Sequence, residues 1–152
     1  MLIRAATRND GSFLVAANAA MALETEHKTL DTRLLASGVD AVFDDPRRGH
    51  YVIAELAGER AGCLLVTFEW SDWRNGDWWW IQSVYVMPAA RRHGVFRALY
   101  ADVERRARAA SGVVGLRLYV EWENARAQQT YTSLGMVQAH YHMFERTFDA
   151  KN

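Results

Sequence analysis

The sequence predicts a mixed α+β fold, a central and mostly antiparallel sheet of six or seven strands with helices on both faces. Two patterns carry this. Short β-rich runs and amphipathic helical stretches follow one another in the order strand, two helices, three strands, helix, strand, helix, strands. Three successive strands pair antiparallel, and the long helix after the third makes a crossover that leaves the next strand parallel to it.

Leu2 to Ala6 reads as a first strand closed by the polar turn "TRND". Ser12 to Leu23 is alanine-rich and helix-prone, with Phe13, Leu14, Ala17 and Met21 near one face. Thr25 to Gly38 reads as a second helix, with Gly38 as its stop. "DDPRRG" is a loop. Tyr51–Leu56 and Ala61–Glu69 are β-rich runs on either side of a hairpin turn, and "WSDWRNGD" is a polar turn studded with tryptophan. Trp78–Val86 is a nearly unbroken apolar run, the kind that is buried on both faces. Val95 to Ala110 is a helix whose stripe is Phe96, Leu99, Val103 and Ala107, with Asp102–Arg106 and Glu104–Arg108 at i,i+4 spacing. Leu116–Val120 is a strand. Ala125–Leu134 is a shorter helix with Asn124 as N-cap and Gly135 just past its end. Met136 to Phe148 supplies one or two closing strands.

Composition narrows the function. The chain has 152 residues, half of them hydrophobic, which suits a single domain with a real core. Lys+Arg and Asp+Glu balance at 18 each, so no nucleic-acid or membrane surface is expected. The bases are nevertheless clustered, with seven of the 18 between Arg91 and Arg117. Cys63 is the only cysteine and lies in an apolar run, so it reads as a buried strand residue. No apolar run approaches the ~20 residues that cross a bilayer, and no secretory leader is apparent, which points to a cytoplasmic protein. The histidines have no carboxylate-rich partner spacing, and no metal is expected.

The informative stretch is the approach to the long helix. A helix N-terminus carries unpaired N–H groups and about half a positive charge. Most surface helices answer it with an early acid. Here Arg91, Arg92, His93 and Gly94 lead in, and the first acid is Asp102, two turns on. Such an end suits an anion, and the glycine permits the close backbone approach that a phosphate needs. Neither G-x-x-x-x-G-K-[ST] nor G-x-G-x-x-G after a strand is present, so the phosphate is not held as in a P-loop or Rossmann protein.

"VYVMPAARRHGVFRAL", from Val84 to Leu99, resembles the signature of the GNAT superfamily of N-acetyltransferases: a strand ending V-x-P, then R-x-x-G-x-G/A opening a long helix. Arg91 and Gly94 match the arginine and first glycine, and Phe96 stands where a second small residue is expected. "NARAQQTYTSLGM" is similar to that family's N-x-x-A-x-x-x-Y-x-x-x-G-F, with Asn124, Ala127, Tyr131 and Gly135 matching and Met136 replacing phenylalanine. The resemblance covers roughly Tyr51 to Phe148, and the element order agrees with that fold, including a splayed parallel strand pair.

The resemblance implies transfer of acetyl from acetyl-CoA to a primary amine of a small molecule by direct attack. Backbone from Arg91, Arg92, His93, Gly94, Val95 and Phe96 would take the diphosphate. Val84, Tyr85 and Val86 would pair with pantetheine, and Asn124 and Tyr131 complete the cofactor side. Tyr131 is the implied general acid; its ordinary pKa of about 10 lies above a thiol's ~8.5, so it holds its proton at neutral pH. Where many relatives carry a glutamate on the strand leading to the turn, this chain has Gln82 and Ser83. The base therefore shifts to Glu69, with Asp72, Glu121 and Glu123 behind it. Glu24, Glu26, Asp72 and Gln82 are the candidate acceptor contacts, near a cluster of tryptophans at 70, 73 and 78–80 that also suits a homodimer face. Two alternatives belong to other classes: a module that senses acyl-CoA without transfer, and an enzyme acetylating a protein amine.

Overall fold

Strand β1 (Leu2–Ala5) forms one edge of a five-stranded sheet ordered β1-β2-β3-β4-β5 in a computed structural model that describes residues 1–148. The chain divides into two compact units, Met1–Tyr119 and the part from Val120 onward. The first unit holds the sheet and helices α1 to α3.

Helix α1 (Gly11–Glu26) ends where His27 turns left-handed at φ +53°. Helix α2 runs over Thr32–Asp44, seven residues later at its start and six at its end than the sequence suggests. Gly38 lies inside it rather than stopping it. The reason is twofold: Asp31 caps the helix by accepting from the amides of Arg33 and Leu34, and Leu35, Val39, Val42 and Phe43 carry an apolar face through the glycine into the core. Packing outweighs the roughly 1 kcal/mol that a mid-helix glycine costs.

Strands β2 (His50–Leu56), β3 (Glu59–Ser71) and β4 (Gly76–Val86) form an antiparallel meander. Alternation along them divides the faces. Tyr51, Ile53, Cys63 and Tyr85 point to Leu14, Ala17 and Val39 of α1 and α2. Gly62 faces the other way, against Val95 of α3 (Val95–Ala109). That helix buries Leu99, Val103 and Ala107 of the stripe its spacing predicts, but Val95 takes the place of Phe96, which is only partly covered. Cys63 is fully buried, and burial pushes its thiol up to about 12.

Strand β5 (Val113–Arg117) lies parallel to β4, as expected, but about three residues earlier than the apolar run suggested. β4 itself is mostly half-buried instead of covered on both faces. In the second unit, α4 (Ala125–Ser133) carries Asn124 as its N-cap, and Gly135 follows at φ +86°. The expected closing strands between Met136 and Phe148 do not form among the described residues, so the sheet has five strands and not six or seven. The alternating pattern there supplies β propensity, which makes a strand only where a neighbouring ladder pairs with it. No described helix is long and apolar enough to cross a membrane.

Candidate functional site

The β4–β5 ladder is short. It runs from Asp77↔Val113 to Trp80↔Arg117 and stops, while β4 continues to Val86. Six residues of β4, roughly 20 Å of strand, therefore have no β5 partner. A bulge lies within that stretch. Cys63 pairs with Tyr85 and Leu65 with Gln82, so Leu64 opposes both Ser83 and Val84. Ser83 sits at φ +49°, an uncommon conformation for a residue with a Cβ. Bulges bend a strand and re-aim its groups. The backbone of Val84, Tyr85 and Val86 lies in this part of β4, beyond the last β5 pair.

The end of β4 leads into the basic turn. After Met87 a 3₁₀ turn spans Pro88–Ala90, then Arg92 adopts φ +70° and Gly94 φ +74° as N-cap of α3. No side chain caps that helix end, and its first turn holds no acid. Nothing lies within 4 Å of a Cβ built on Gly94, so the turn is open on that side. The His93 ring folds back to the Arg91 carbonyl at 2.9 Å. The Phe96 ring packs against Tyr100 one turn along, with centroids 6.2 Å apart. The first acid, Asp102, is paired with Arg105 and Arg106 and leaves the positive field at the turn unanswered. An open, uncapped, basic helix start next to unpaired β4 backbone fits a phosphate-bearing chain that continues along the strand.

On the α1 face of β4 three polar links follow one another. Tyr85 donates its hydroxyl to Glu24 at 2.8 Å, and Arg91 donates to the same carboxylate at 2.6 Å. Gln82 donates to the Thr67 hydroxyl. Glu69 accepts from the Trp80 indole at 2.6 Å and from Arg117 at 2.7 Å, where the two parallel strands part. The Arg117 guanidinium also lies 4.1 Å over the Trp78 ring. The hydrogen bonds from Tyr85 and Arg91 hold the Glu24 carboxyl below its ordinary range, and burial lifts the Tyr85 hydroxyl above its own.

These contacts redistribute the residues expected at an acceptor mouth. Glu24 lies against Tyr85 and Gln82 against Thr67, both beside the part of β4 that has no β5 partner. Glu26 pairs with its neighbour Lys28 at 2.7 Å. Asp72 accepts from the Trp73 amide in the β3–β4 hairpin turn, at the opposite end of β4 from Tyr85. Trp70 and Trp73 are exposed, whereas Trp78, Trp79 and Trp80 are half-buried. Arg117, Thr67 and the Tyr85 hydroxyl escaped the sequence reading. Their partners lie 48, 15 and 61 residues away, separations at which no local pattern exists.

In the second unit, Asn124 accepts from the Ala127 amide at 3.0 Å, and the Tyr131 carbonyl accepts from Met136 at 3.1 Å to close the helix end. Burial raises the Tyr131 hydroxyl above the usual phenol range, so it carries its proton at neutral pH. Among the described residues no group of three or more metal-binding side chains converges.

The acetyltransferase (GNAT) family model matches residues 17–136. A possible acetyltransferase from Clostridium difficile 630 is 40% identical, with 97% of each chain covered and a TM-score of 0.90. A probable acetyltransferase at 18% identity covers 99% of this chain and 100% of its own with a TM-score of 0.86. A predicted acetyltransferase with acetyl-CoA from Clostridium acetobutylicum, at 14% identity, covers 95% of each chain with a TM-score of 0.77. No curated protein shows a significant match to the chain.

Proposed function

The chain belongs to the acetyltransferase (GNAT) family, and on that premise we propose that it moves an acetyl group from acetyl-CoA to a primary amine of a small molecule. One observation carries the reading: the six residues of β4 without a β5 partner run into the uncapped basic turn of α3. Acetyl-CoA, when bound, supplies the thioester. The amides of Arg92 to Phe96 would receive its diphosphate, in the field of the helix start. The backbone of Val84, Tyr85 and Val86 would take pantetheine as an added strand. An amide near Val84 would face the carbonyl oxygen as charge develops there.

Tyr131 is the proposed acid. A half-buried phenol that stays protonated at neutral pH keeps a proton at hand for the departing thiolate. Asn124 supports it by capping the helix that carries it. Glu69 is the proposed base. Both its oxygens already accept hydrogen bonds, so a proton from the amine would reach it through a water. Gln82 would border the acceptor, while the Glu24 carboxylate is taken up by Tyr85 and Arg91, and Glu26 and Asp72 lie outside the first contacts.

Thiol release measured against a panel of small primary amines tests the transfer. Tyr131→Phe is expected to lower kcat by about 100-fold or more while the Kd for acetyl-CoA stays within about twofold. An unchanged kcat removes Tyr131 as the acid. A second reading, a module sensing acyl-CoA, is favoured by the engagement of Glu69 with Trp80 and Arg117. CoA binding without turnover on any amine would select it, and turnover only on a polypeptide amine would select a protein-acetylating enzyme.

A further inference from the structure

We propose that Glu24 is a positioning residue for the phosphate turn: it acts through Arg91 rather than binding the acceptor. The inference rests on the reading of that turn as the diphosphate site and adds to it a residue from another element, 67 positions away from Arg91 in the chain.

Three contacts make the link. Tyr85 is 7% exposed and packs in the core with Leu14 and Ala17 of α1, so its ring is a fixed frame. Its hydroxyl donates to one Glu24 oxygen at 2.8 Å, which fixes the carboxylate. The other oxygen accepts from Arg91 at 2.6 Å. Held there, the guanidinium stands 5.6 Å from the Tyr85 ring centre and donates its Nε to the Val86 carbonyl at 3.1 Å. Arg91 thereby closes the segment that begins at the last residue of β4 and delivers the turn amides.

The chemistry argues against an acceptor role for the same carboxylate. Each Glu24 oxygen already has a donor. An incoming ammonium would displace the guanidinium and exchange one ion pair for another, with little net gain. The Arg91 side chain, for its part, points back to α1 and β4, not over the turn. Its effect on a diphosphate would therefore come through where it holds the backbone. Without Glu24, Arg91 keeps only a neutral carbonyl and a ring face, and the turn loses a charged anchor. Glu26, two residues along, pairs locally with Lys28 and makes no such link.

The experiment titrates CoA calorimetrically into the full chain as wild type, Glu24→Gln, Arg91→Gln and the double variant, with thermal midpoints measured in parallel. Each single change is expected to weaken CoA by about three- to tenfold, the scale of one half-exposed charged contact. The double variant is expected to be no weaker than the worse single, because both remove the same link. Thermal midpoints are expected to stay within about 2 °C, since the pair is nearly half exposed. In both single variants the KM for acetyl-CoA is expected to rise by more than kcat falls. An unaltered CoA Kd in Glu24→Gln, or losses that add in the double variant, would overturn the inference. Gly94→Asp separates this from the parent reading, since it puts a carboxylate where phosphate is proposed. If that variant binds CoA like wild type, the turn is not the phosphate site and the proposed function falls. If it abolishes binding while Glu24→Gln changes nothing, only the positioning role falls.

Discussion

Asp10 shows how much a single side chain can hold in this chain. Its carboxylate is 1% exposed and accepts from both terminal nitrogens of Arg4 at 2.8 and 2.9 Å, from Arg60 at 2.7 Å and from the Thr7 amide at 2.8 Å. Arg4 also pairs with Glu55, so one buried acid ties β1, the turn before α1, β2 and β3 together. Removing one partner of a buried ion pair leaves the others uncompensated. Asp10→Ala is expected to cost about 3–5 kcal/mol of stability, read as a lower urea midpoint at constant slope. Gly94 and Ser83 act in a different way, through backbone conformation. One opens the turn and the other bends β4, and neither depends on what its side chain touches.

Helix α2 is the element whose limits depart furthest from local expectation. Its N-cap, Asp31, is legible as a type of residue that starts helices, yet the glycine seven residues on reads as an end. Only the apolar face built from Leu35, Val39 and Val42 against the sheet shows why the helix continues. Gly38 is in ordinary helical backbone and a Cβ there would meet nothing within 4 Å. Gly38→Ala is therefore expected to stabilise the protein by about 0.5–1 kcal/mol, measured by chemical denaturation, with no change in acetyl-CoA affinity. β4 makes the complementary point. Its residues match a two-sided buried strand, but most are half-buried and the last six have no β5 partner, and that unpaired backbone is what the proposed cofactor needs.

For the molecule as a whole, charge pairing sets the acid limit. Arg4, with help from the Thr7 amide and Arg60, holds the Asp10 carboxyl well below the usual carboxylate range, against the opposing effect of burial. A group whose folded pKa is depressed stabilises the fold above its unfolded pKa and loses that contribution as pH falls through the folded value. With an unfolded aspartate near pH 4, stability is expected to hold down to about that pH and fall steadily below it. Urea midpoints measured from pH 7 to pH 2 check this, and Asp10→Asn should show a lower plateau with a shallower acid decline. An equally steep decline in that variant would assign the acid limit to other carboxylates.

Two motifs and an order of elements were readable from the residues alone, because each depends on short-range chemistry. A valine-rich strand, a proline, an acid-free basic turn and an amphipathic helix are neighbours in the chain, and so are Asn124, Tyr131 and Gly135. The family and its co-substrate follow from them. What the residues could not decide were quantities set by distant partners: how far α2 extends, where β5 begins, whether Met136–Phe148 pairs into the sheet, and which group each carboxylate faces. Glu69 and Glu24 look alike as free acids in the sequence. Folding hands one to Trp80 and Arg117 and the other to Tyr85 and Arg91. A hydrogen bond spans about 3 Å of space whatever the distance along the chain, and so those assignments belong to the tertiary structure.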